Sequence, residues 1–251
     1  LVILNCQTTK LYFIKINVVY IHQNCHHMQK EEILVLGDSH ANIFLRPQLK
    51  LYFPAYEFKV IAAPGGTISG LSNPNSKTQS RAIFHRSMSN TTAKTAIVLM
   101  GEVDTGFVIW YRAEKNGIDI TEALAKTIHN YKSLLTKVAA AFHTICISAP
   151  LPTIRDGQKF GAVANARKDV TATQRERTEL TIEFNRQVEA FCHRSKILNL
   201  NLDSESLGAN GLVKTSLLHQ NSADHHYDQS AYATMIGAKL PALIESRNSP
   251  G

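Results

Sequence analysis

Five short apolar runs recur along the chain, at residues 33–36, 58–62, 95–100, 144–148 and 196–200. Each has strand length and branched or aromatic content, and stretches of helical spacing separate them. The clearest helical stretch is 121–142, where Leu124, Ile128, Tyr131, Leu135 and Val138 fall on one face. Others lie at 79–89, at 174–193 with Leu180, Phe184, Val188 and Phe191 on one stripe, and at 229–245. Strands alternating with helices predict an α/β fold, a parallel sheet with helices on both faces. Right-handed crossovers then put the carboxyl end of every strand on one rim, so Ser39, Gly65 and Glu102 are expected to converge there.

Directly after the first run stands Gly37-Asp38-Ser39-His40. Open α/β sheets carry their chemistry at that rim, so a serine hydroxyl there is a candidate nucleophile. An ordinary strand-ending turn is the bland alternative, since glycine, aspartate and serine all favour turns. Serine at neutral pH needs a positioned base and donors for the developing oxyanion. The late cluster Ala223-Asp224-His225-His226-Tyr227-Asp228 offers base candidates.

Four segments together resemble the GDSL/SGNH-type hydrolases. They are Gly37-Asp38-Ser39-His40, the glycine-bearing loop Ala63-Pro64-Gly65-Gly66-Thr67-Ile68-Ser69-Gly70-Leu71, Gly101-Glu102-Val103-Asp104, and the 223–228 cluster. The third is similar to that family's Gly-x-Asn-Asp segment and the fourth to its Asp-x-x-His segment. The resemblance runs from about Ile33 to the C-terminus. It implies a single-domain, three-layer α/β/α fold of flavodoxin-like topology and a serine esterase or acyl-transfer activity on an O-acyl ester, a glycan ester included. Ser39 would be the nucleophile, His226 the base and Asp224 its orienting acid. The N–H groups of Gly65 and Ser39 would serve the oxyanion, with Gly66 the alternative to Gly65. Asp38 and Glu102 are grouped with the oxyanion or substrate contacts, and no cofactor or metal is required.

The chain departs from that pattern at two places. The family spacing would put its aspartate at Ala223, so Asp224 reaches from a rearranged loop, or a Ser-His dyad operates, or His225 is the base. Val103 occupies the position of an asparagine whose amide completes the oxyanion hole, and valine has no donor. A catalytically weak glycan-binding or accessory module is therefore the rival reading. A phosphate-binding domain built on Gly65-Gly66-Thr67 lacks the expected lysine, and no GxGxxG follows the first strand.

Composition narrows the remaining classes. A 251-residue chain with 44% hydrophobic and 19% charged residues can bury a core without disulfides. The net charge of +7 is scattered in short clusters such as Arg167-Lys168 and Arg175-Glu176-Arg177, a solvated helix face rather than a nucleic-acid surface. Cys6, Cys25, Cys146 and Cys192 show no CxxC spacing, and Cys146 reads as a core residue, which fits a reducing, cytoplasmic compartment. Cys25-His26-His27 matches no zinc spacing. Residues 1–27 lack acids and read as an upstream extension to a domain at 28–251, with an extra edge strand as the alternative. Their apolar stretch, 11–21, is too short and too interrupted to span a bilayer. The irregular segment 149–169 is read as a crossover loop or a lid, and Phe107, Trp110, Tyr111, Arg112 and Glu114 as packing or as a rim for a sugar or acyl group.

Overall fold

The computed structural model describes residues 30–158 and 170–246. The upstream extension, the Cys25-His26-His27 cluster and the second half of the 149–169 segment lie outside them. Five strands make one parallel sheet in the order β2-β1-β3-β4-β5, with β1 at Glu31–Gly37, β2 at Tyr56–Ala62, β3 at Thr95–Leu99, β4 at His143–Ile147 and β5 at Leu198–Leu200. All five expected runs are strands.

Strand periodicity divides the core. Ile33, Val35, Ile97, Leu99, Ile145 and Ile147 face one layer. There they meet Phe44 of a 3-10 helix (Ser39–Leu45), Leu49 of α1 (Pro47–Lys50), and residues of the two C-terminal helices. Leu34, Leu36, Ala96, Val98 and Cys146 point to the opposite layer, built from α2 (Ile68–Leu71), α3 (Ser80–Ser89), α4 (Ile109–Asn116), α5 (Ile120–Ala139) and α6 (Gln174–Arg194). This is the expected three-layer α/β/α arrangement. The whole predicted stripe of α5 is buried against the sheet. Asp119 caps that helix by accepting the Thr121 N–H at 2.7 Å, and Thr173 with Glu176 forms a capping box at the start of α6.

Two elements end differently from the periodicity. Lys196 takes a left-handed conformation (φ 56°) and the Ile197 N–H closes back on the Cys192 carbonyl, so β5 starts only at Leu198. The stretch 229–245 breaks into α8 (Gln229–Gly237) and α9 (Leu240–Glu245), after the short α7 (Asp203–Ser206). Lys239 leaves helical geometry, and Pro241, which has no N–H to donate, sits in the first turn of α9.

Parallel register aligns the rim. Gly37 of β1 pairs with Ala62 of β2 and with Leu99 of β3, so the segments that begin at Asp38, Ala63 and Met100 leave the sheet side by side.

Candidate active site

Ser39 opens the 3-10 helix immediately beyond β1. Gly37 permits that turn by its lack of volume: a Cβ there would stand 2.3 Å from the Leu99 carbonyl oxygen and 2.7 Å from the Ala41 Cβ. Asp38 caps the helix with its side chain, accepting the His40 N–H at 2.9 Å. The same carboxylate oxygen lies 3.0 Å from His40 Nδ1. Both residues are buried, so Asp38, grouped with the substrate contacts on sequence, is turned inward to hold His40. His40 packs its buried ring 4.7 Å from that of His226.

His226 lies in the loop ahead of α8. Its Nε2 is 2.9 Å from Ser39 Oγ, and its Nδ1 is 2.6 Å from Asp224 Oδ1. Asp224 Oδ1 also accepts the His226 backbone N–H at 2.9 Å. That contact is an Asx turn, which brings the carboxylate to the ring across only one intervening residue. Of the three arrangements left open by the shifted spacing, the geometry is that of Asp224 reaching from a rearranged loop. His225 packs beside His226 with ring centroids 4.1 Å apart in a tilted arrangement. Asp228 caps α8, accepting the N–H groups of Ser230 and Ala231.

Electrostatics suit a neutral imidazole. Burial disfavours the imidazolium, and the charge of His40 adds to the effect; Asp224 and Glu102 oppose it, yet the His226 pKa stays below its ordinary 6.5. Burial also works against the Asp224 carboxylate. The hydrogen bonds from His226, its charge and that of His219 outweigh it and hold the group below the usual carboxylate range.

Gly65 stands three residues beyond β2 with φ 67°, a left-handed conformation that favours glycine. The Gly66 N–H is committed to the Ala63 carbonyl at 2.8 Å, which removes Gly66 as the alternative oxyanion donor. Glu102 is buried, and Val103 is half-buried where a π-helical turn, Asp104–Val108, begins. Valine presents no donor there.

Asp104 is the residue that sequence reasoning passed over. Fully buried, it accepts the N–H groups of Ile68 at 2.7 Å and Ser69 at 3.1 Å, tying the start of α2 to the segment after β3. Burial raises its pKa to about 6, against the pull of those two bonds. Its place at the end of Gly101-Glu102-Val103-Asp104 was the available signal, but the sequence does not say which backbone it would grip.

The described part of the segment after β4 buttresses the histidine loop. Leu151 donates its N–H to the Tyr227 hydroxyl at 2.7 Å, Thr153 donates to the His225 carbonyl at 2.6 Å, and Gln158 donates to the Ser222 carbonyl at 3.2 Å. Asn185 of α6 clasps Ala149 through both its N–H and its carbonyl. A cavity of about 160 Å³ opens beside Ser39, lined by His40, Asn42, Ile43, Arg46, His226 and Tyr232 among others. The 107–114 aromatic and charged set does not line it. Phe107 stacks on Tyr111, the Trp110 indole donates to the Thr105 carbonyl, and Glu114 receives the N–H and hydroxyl of Thr171.

No protein-family model matches the sequence, and no curated protein does. Solved structures do match. A provisionally assigned acylhydrolase from Bacteroides fragilis aligns over 92% of this chain and 96% of its own, with TM-score 0.59 and 15% identity. A GDSL-like lipase from Bacteroides thetaiotaomicron aligns over 86% and 89%, with TM-score 0.58 and 15% identity. The aryl esterase of M. smegmatis aligns over 86% and 99%, with TM-score 0.56 and 14% identity. Alignment over 86–92% of this chain at these TM-scores means that it shares the α/β/α fold of those solved hydrolases.

Proposed function

We propose that the chain is a serine esterase that cleaves or transfers a short O-acyl group. The observation that carries the reading is the continuous chain of contacts from Ser39 Oγ to His226 Nε2 and from His226 Nδ1 to Asp224 Oδ1. In this reading Ser39 Oγ attacks the acyl carbonyl carbon while its proton passes to His226 Nε2. Asp224 keeps the imidazole in the tautomer that can accept, and stabilises the imidazolium that forms. Negative charge grows on the former carbonyl oxygen, for which this reading assigns the Ser39 and Gly65 N–H groups as donors. Collapse expels the alcohol, which takes the proton from His226, and leaves an acyl-serine. Water or a second alcohol then attacks that ester by the same proton route in reverse. The lowered His226 pKa supports the role, because the base is neutral at neutral pH.

A cavity of about 160 Å³ suits an acetyl or similarly short acyl group. The part of the reading that makes the alcohol a glycan rests on Phe107 and Tyr111, a stacked, half-buried aromatic pair outside the cavity lining. Unlinked, buried Cys146 and Cys192 support a reducing, cytoplasmic setting. No helix of the described residues is long and apolar enough to cross a membrane. Val103 favours the second reading, a catalytically weak glycan-binding module.

A fluorophosphonate probe, together with a screen of acetylated sugars and short-chain aryl esters, separates the two. The esterase labels at Ser39, and Ser39→Ala abolishes both labelling and turnover. A folded protein that neither labels nor turns over any ester is the binding module.

A further inference from the structure

His40, His225 and His226 meet at one point. One ring nitrogen from each lies within 4.8 Å of the others, which no step of ester cleavage requires. His40 comes from the turn after β1, whereas the other two come from the loop before α8, so the cluster exists only in the folded chain.

Two of the three imidazoles are already arranged as metal ligands usually are. His40 Nδ1 is held by Asp38 and His226 Nδ1 by Asp224. A carboxylate at Nδ1 fixes the proton there, directs the Nε2 lone pair away from the acid and raises its basicity. Neutral nitrogen donors favour zinc and its late first-row neighbours over magnesium or calcium, and three histidines with an open fourth position are an established zinc coordination set. Ser39 Oγ, 2.9 Å from His226 Nε2, borders that fourth position. Donors around tetrahedral zinc stand about 3.4 Å apart at ordinary Zn–N lengths, so the rings need to draw together by up to about 1.4 Å. Two of them sit on one irregular loop that can supply that movement.

We propose that these three histidines form a site for zinc or a similar divalent cation, and that its occupancy switches the serine chemistry off. With its Nε2 lone pair on the metal, His226 has none with which to take the Ser39 proton. Cation binding stands on the histidine geometry alone; only the loss of turnover rests on the reading of His226 as the base.

Zinc is titrated into the chelator-treated full chain by calorimetry, and aryl acetate hydrolysis is followed over the same concentrations. The expected result is one equivalent that Ser39→Ala keeps and that His225→Gln weakens about tenfold or more. Zinc should inhibit the parent reversibly, and in His225→Gln the inhibition midpoint should move in step with the affinity, each variant being normalised to its own metal-free rate. His40→Gln repeats the test should His225→Gln fail to fold. Equal affinity in parent and both variants overturns the site, as does no equivalent tighter than about 100 μM. Zinc bound through His225 while turnover continues overturns the switch. Should the chain hydrolyse no ester at all, the proposed activity fails and calorimetry still decides the metal site.

Discussion

The two sides of the Ser39–His226 contact are held in opposite ways. Ser39 sits on a turn clamped between sheet strands, with Asp38, His40, Ala41, Ile43 and Phe44 all buried around it. His226 sits on an irregular loop held by polar contacts: those of the Tyr227, Thr153 and Asp224 side chains, and the backbone pairing of Tyr227 with Leu218 and of Asp228 with Leu217. Steric exclusion fixes the first, and a handful of polar contacts fixes the second. The nucleophile's position should therefore survive the loss of any one hydrogen bond, whereas the base's should not.

The largest effect tests whether the two sides work as one unit. Ser39→Ala should lower kcat for an aryl acetate by roughly a million-fold, to background, since it removes the nucleophile, and Asp224→Asn by roughly ten-thousand-fold, since it favours the wrong imidazole tautomer. Unchanged turnover in either folded variant would break the pairing. Next comes the clamp itself. Gly37→Ala forces a methyl against backbone and should cost on the order of 3 kcal/mol of stability in denaturant unfolding, whatever it does to rate.

Val103→Asn adds a donor beside the rim. If its amide reaches the oxyanion, kcat should rise by up to about a hundredfold with little change in KM, because the new bond forms mainly in the transition state. A folded variant no faster than the parent would mean that another group already fills the role. Tyr227→Phe strands the Leu151 N–H and should cost about 1–2 kcal/mol, with a several-fold fall in kcat as the loop loosens. A comparable loss of rate in Gly37→Ala at temperatures where that variant stays folded would erase the contrast between the two sides.

The smallest effect concerns pH. With His226 as the proposed base the neutral imidazole is the active form, and burial together with His40 depresses its pKa, so activity should fall only as pH drops through a midpoint below 6.5. A midpoint above 6.5 would show that Asp224 dominates over burial.

What the sequence discloses follows the same division. The turn at 37–40 is legible because its causes are local: an apolar run, a glycine with no room for a side chain, and capping residues in the next few positions. The α5 stripe is legible for the same reason, since 3.6-residue spacing needs no knowledge of partners. The Asp224–His226 register is not, because the spacing appears one residue short until the Asx turn is seen to shorten the path. Nor is Asp104, whose grip on Ile68 and Ser69 spans more than thirty residues of chain and leaves no mark on its own neighbourhood. His40 reads as a turn residue from sequence, and its contact with His226 depends on how two distant segments close.

Asp224 Oδ1 receives both the ring and the backbone of His226. In the proposed mechanism the acid that orients the base is thereby also the pin that shapes the loop, and the two duties share a single atom. A longer carboxylate cannot perform both, because glutamate would overshoot the backbone N–H while stretching to the ring. An inserted residue between 224 and 226 would likewise separate them. Moving the acid to position 223 would divide the two duties, because a carboxylate there no longer closes the Asx turn on the His226 N–H.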